Sequence, residues 1–122
     1  MRRLKPRSRN KGFWAEELPL AITVCDLQGV GLEMNRRSAK TFAKSGGGRL
    51  LGKSMLDCHP GPALRKMKAL LRSGKVNVYT IEKKGKKKLI WQGPWYKNGR
   101  RGGMVELSIE LPAKIPHFIR KG

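Results

Sequence analysis

The sequence predicts an α+β domain built on one antiparallel sheet. Three observations carry that prediction. Short runs rich in β-branched and aromatic residues sit at both ends of the 122-residue chain, a composition that fits a pleated, half-buried surface. Asn98-Gly99 and Lys84-Gly85 divide the last third in the way hairpin turns do. The middle instead spaces apolar residues three, four and seven apart between glycine and proline breaks, which is the helical period. A sheet that buries one face under such a helical middle gives a two-layer domain.

The elements follow in order. Leu20 to Cys25 is a β-rich run after Pro19. Asp26-Leu27-Gln28-Gly29 is a turn, since Asp bonds back to its own backbone and Gly accepts positive φ. Val30 to Met34 returns as the second strand of a hairpin. Asn35 is an N-cap, able to accept from a free amide of the first helical turn. The helix after it puts Ala39, Phe42 and Ala43 on one face, and Ser45-Gly46-Gly47-Gly48 ends it. One short helical turn is expected within Leu50 to Leu56. Pro62 suits the first turn of a longer helix running to about Arg72, with Leu64, Met67 and Leu71 as its apolar stripe. Three strands complete the chain: Val76 to Lys83, Lys88 to Tyr96 and Met104 to Leu111. In the last, Val105, Leu107, Ile109 and Leu111 alternate with Met104, Glu106, Ser108 and Glu110, and the apolar set is expected to face the core.

Lys and Arg number 28 against 8 Asp and Glu, a net charge of +20. Residues 1–12 hold six cations and no acid, and residues 83–101 hold eight more, again with no acid. The first cluster reads as a flexible arm, because like charges repel, and the second as decoration of hairpin tips. The domain proper is expected at 13–112, with a short tail at 113–122. No apolar run is long enough to span a membrane and no secretory leader pattern opens the chain. Two cysteines, Cys25 and Cys58, fit a reduced, cytoplasmic protein better than a disulfide framework.

With these elements in place, the sequence resembles a PAS domain over roughly residues 13–112. The likeness runs through Leu18 to Asp26 with Gly29, then Met34-Asn35 with Ala39 and Phe42. It continues through Leu51-Gly52-Lys53-Ser54 and Asp57-Cys58-His59-Pro60. It ends with Tyr79-Thr80, Glu82, Gly85, Pro94-Trp95-Tyr96, Asn98-Gly99 and Gly103 to Glu106. The resemblance implies a five-stranded antiparallel sheet covered on one face by short helices and one longer helix. It also implies a sensory and interaction module, stand-alone or excised, with a ligand pocket between sheet and helices. Such modules commonly dimerise, often through a segment before the first strand, here Phe13 to Leu18.

Projected onto that fold, strand alternation and helix stripes give an expected pocket lining. It comprises Ile22, Val24, Phe42, Leu56, His59, Met67, Leu71, Tyr79, Ile81, Trp91, Leu107 and Ile109. His59 or Cys58 would be the axial ligand if haem were bound. The family's haem-ligating His usually lies on the long helix, which holds none here, so an empty or metabolite-binding pocket is the leading expectation. Flavin is less expected, because the light-sensing subgroup's cysteine motif is missing. A zinc site lacks any paired Cys or His spacing, and Cys58 beside His59 has no third orienting group for nucleophilic catalysis. Trp91 and Trp95 fall on one strand face and are read as packing residues.

The expected function is therefore a non-catalytic signalling module acting by small-ligand binding, homodimerisation or docking on a signalling partner. The alternative is a nucleic-acid-associated accessory protein that uses the basic arm and hairpin tips as a phosphate-binding surface.

Overall fold

The computed structural model of the chain describes residues 14–58 and 61–122; the basic arm 1–12 lies outside the described residues. Strands β1 (Ala21–Asp26) and β2 (Gly31–Met34) form the first hairpin, and helix α1 (Arg36–Thr41) follows. Single 3-10 turns at Ala43–Ser45, Gly47–Leu50 and Met55–Cys58 lead into helix α2 (Gly61–Ser73). Strands β3 (Asn77–Lys83), β4 (Lys86–Lys97) and β5 (Arg100–Leu111) complete the fold, and no helix or strand follows Leu111.

All five strands join one antiparallel sheet in the order β2-β1-β5-β4-β3. The first strand thus pairs with the last, and the helical middle joins the two edge strands, β2 and β3, across one face. The turns form as their residues require. Asp26 Oδ1 accepts from the amides of Gln28 and Val30, both at 2.9 Å. Lys84-Gly85 and Asn98-Gly99 each place two successive residues at positive φ, the geometry whose twist matches a two-residue hairpin.

Asn35 ties the two layers together. Its Oδ1 accepts from Ser38 N at 3.0 Å, capping α1, and from Ile22 N on β1 at 3.0 Å. Its Nδ2 donates to the carbonyls of Ala15 at 2.9 Å and Leu20 at 2.7 Å. Helix α2 buries Met67, Leu70 and Leu71, and Gly74 at φ 69° ends it. The Arg101 guanidinium donates to the last carbonyls of that helix, Leu71 O at 2.9 Å and Arg72 O at 3.3 Å. Arg101 is therefore a helix-capping group and not a free hairpin-tip cation, because the helix C-terminus offers unpaired carbonyls of partial negative charge.

The core forms on the helix side of the sheet. Cys25 and Met104 contribute from its centre, Met34 from β2, Leu50 and Met55 from the turns, and Met67, Leu70 and Leu71 from α2. This placement reverses the expected strand faces. Met104, Glu106 and Ser108 face the helices; Val105, Leu107 and Ile109 face away, each paired with a like-facing neighbour, Val24, Ile22 and Leu89 respectively. The expected helical turn lies slightly later than Leu50 to Leu56, at Met55–Cys58.

Candidate functional site

Alternation along paired strands sorts the inner face into rows that cross the sheet. One row is Thr23, Glu106, Gln92 and Asn77, each directly opposite the next across β1, β5, β4 and β3. These four polar residues form a belt. Asn77 Nδ2 donates to Gln92 Oε1 at 2.9 Å, and Gln92 Nε2 donates to Glu106 Oε2 at 3.3 Å. At the other end Thr23 Oγ1 and Ser38 Oγ of α1 lie 2.5 Å apart in a hydroxyl–hydroxyl hydrogen bond. Gln92 and Ser38 are buried. Largely apolar rows flank the belt: Ala21, Ser108 and Ile90 on one side, Cys25 and Met104 on the other.

Two spaces open on this face. A cavity of about 10 Å³ lies among Thr23, Cys25, Phe42, Met55, Met67, Met104 and Glu106, about the room that one water occupies. A cleft of about 160 Å³ adjoins it. Ala21, Thr23, Ile90, Glu106 and Ser108 form its floor, Thr41 and Phe42 one wall, and Tyr79, Ile81 and Lys88 the other. It stays open because the helices stop short of β3: Tyr79 and Ile81 are 43% and 41% exposed although they share the helix-covered face. A cleft of this size admits a single-ring molecule; a porphyrin would require the helical cover to move away.

Electrostatics separate the two spaces. Burial pushes the Cys25 thiol up to about 11, so it is a neutral packing group at physiological pH. The Tyr79 hydroxyl is also raised, by burial and then by the nearby Glu106 carboxylate. Among the described residues no cation pairs with Glu106, and no group of three His, Cys, Asp or Glu is placed to hold a metal ion.

Of the expected lining, Phe42, Met67, Tyr79 and Ile81 surround these spaces. Leu71 is in the core and Leu56 packs against it. Ile22, Val24, Trp91, Leu107 and Ile109 line the opposite face, so they do not reach the cleft. His59 lies outside the described residues, as do the side chains of Asp57 and Cys58. Sequence reasoning missed Thr23, Asn77, Gln92, Glu106 and Ser108. The signal was present in β1, where Ala21, Thr23 and Cys25 alternate with Ile22 and Val24. Small side chains mark the face that a helix approaches closely, as the Thr23–Ser38 contact shows.

The outer face is apolar and lacks a second layer among the described residues. Ile22, Val24, Leu89, Trp91, Val105, Leu107 and Ile109 are half-buried, and Val78 is 52% exposed. Trp91 and Trp95 lie flat on this surface, their rings occupying the space a side chain at Gly93 or Gly102 would need. Trp95 Nε1 donates to Cys25 O at 2.9 Å, which fixes the ring across the β4–β5 bulge between Trp95 and Tyr96.

No protein-family model and no curated protein matches the sequence. Solved structures do match the fold. A C-terminal domain from Streptococcus mutans superposes with a TM-score of 0.63 at 21% identity, over 79% of this chain and 78% of that one. The PAS domain of Bordetella pertussis BvgS gives 0.56 at 21% identity, over 82% of each chain. The PAS domain of an HTR-like protein from Haloarcula marismortui gives 0.54 at 15% identity, over 80% of this chain and 85% of that one. The strand order, the helical cover on one face and these superpositions agree, and the chain has the fold of a PAS domain.

Proposed function

We propose that the chain is a sensory PAS-type module that binds a small molecule in the inner cleft and pairs with a second copy through the outer sheet face. The observation that carries this reading is the contrast between the two faces. The covered face is partly polar and holds a cleft with an ordered hydrogen-bonding belt. The other face, which no second layer covers among the described residues, is a continuous apolar surface, of the kind that marks an interaction site. The two faces share the same strands, so a ligand that reorders the belt changes the packing of the residues between. Binding then shifts the population of partner-competent states. The role is binding and not catalysis: Glu106 sits among amides and a hydroxyl, groups that orient a ligand rather than attack it.

A phosphate-binding surface is less well supported by the geometry. The two basic tips of residues 83–101 sit at opposite ends of β4, whose 12 residues span roughly 37 Å. They form two separate patches, and Arg101 is committed to α2. Haem enters as a specific alternative ligand, since the Aer2 receptor of Vibrio cholerae, a dual PAS-haem oxygen sensor, superposes with a TM-score of 0.54 at 12% identity.

Native mass spectrometry of the purified protein tests the reading. The expected result is a species of twice the chain mass that carries an added small molecule or takes one up from a metabolite extract. A monomer that neither retains nor takes up any ligand contradicts it. A Soret band in the same sample, lost in His59→Ala, would instead assign haem.

A further inference from the structure

We infer that the cleft selects a cationic ligand carrying N–H donors, an amidinium, guanidinium or ammonium group, and that Glu106 is its recognition residue; this rests on the ligand-binding reading above. The belt is directional. Asn77 donates to Gln92, and Gln92 donates to Glu106, so both amides spend a donor toward the carboxylate. Glu106 is the terminal acceptor. A carboxylate offers about four lone-pair sites, yet Glu106 accepts one amide bond, at 3.3 Å, and its Oε1 accepts none from any described residue. Among the described residues it is the sole acid on the cleft lining. The other charged lining residue, Lys88, lies four residues from Gln92 on β4, roughly 13 Å along the strand.

Glu106 is half-buried, so its open lone pairs face the solvent of the cleft, and a cation that displaces this solvent forms a charge-assisted pair strengthened by the apolar Ile90 and Phe42 of the lining. A planar N–H fork of positive charge supplies donors in place of solvent, and Ile90 and Phe42 of the lining suit an apolar body attached to it. Such a ligand enters against the protein's overall field. A net charge of +20 attracts anions and repels cations everywhere, so a preference for cations is a local property of this cleft.

Three probes that share a phenyl ring separate the possibilities: benzamidine, benzoate and toluene, each titrated into the wild-type protein in 0.15 M salt and followed by NMR shifts of Gln92 and Glu106. The expected result is benzamidine binding at least tenfold tighter than either other probe, with that advantage lost in E106Q. Circular dichroism of E106Q checks that it is folded, and the wild-type comparison stands without it. Equal or tighter binding of benzoate or toluene, or an undiminished benzamidine affinity in folded E106Q, overturns the ligand class while leaving a ligand cleft in place. Failure of all three to bind overturns both the ligand class and the cleft's role.

Discussion

Asn35 shows how much one side chain holds. It is 2% exposed, and its amide satisfies all four of its hydrogen-bonding directions with backbone groups from the chain start, β1 and α1. Asn35→Ala removes a helix cap, about 1 kcal/mol, and strands further buried backbone groups at about 1–3 kcal/mol each. The expected loss is about 3 kcal/mol or more in a urea unfolding curve, far above an ordinary cap substitution. Cys25 makes the opposite kind of contribution. Its thiol is pushed up to about 11 from an ordinary value of 9.0 by burial. The unfolded chain therefore releases that proton first as pH rises. Stability from this residue is intact below about pH 9 and falls between about 9 and 11. The difference in unfolding free energy between wild type and Cys25→Ala should shrink over that interval, and the native thiol should resist alkylation at pH 7.5.

At the scale of elements, the two faces of β5 give contrasting predictions. Met104 is 4% exposed among α2 and the turns, so Met104→Asp buries an unpaired charge and should unfold the domain. Leu107 is half-buried on the outer face, so Leu107→Asp should cost only about 1–2 kcal/mol in the monomer. Thermal melts of the two variants distinguish them. Alternation along β5 alone predicts the reverse for Leu107, and the reason is physical. Turn chemistry at Asn98-Gly99, the cap at Asn35 and the stripe of α2 are local, so they are legible in a linear chain. Alternation in a strand defines two faces but does not say which one a distant helix covers. When the covered face carries Thr23, Gln92 and Glu106 and the open face carries Ile22, Trp91 and Leu107, hydrophobicity alone points to the wrong side. The belt was illegible for the same cause: its four members come from four strands, and only the register brings them into one row.

For the molecule as a whole, the charge of +20 sets the conditions under which two copies meet. The described cations of residues 83–101 lie mainly at the ends of the sheet, away from the apolar centre of the outer face. Self-repulsion still opposes association and is screened by salt. The homodimer should therefore tighten as salt rises from about 0.05 to 0.5 M, whereas a phosphate-driven complex weakens steeply over the same range. Sedimentation velocity of wild type and Leu107→Asp at 0.5 M salt tests the central claim most directly, that the open apolar face is the interaction surface. The account predicts a dimeric wild type and a folded, monomeric Leu107→Asp. A monomeric wild type, or a Leu107→Asp variant that still dimerises, would contradict it.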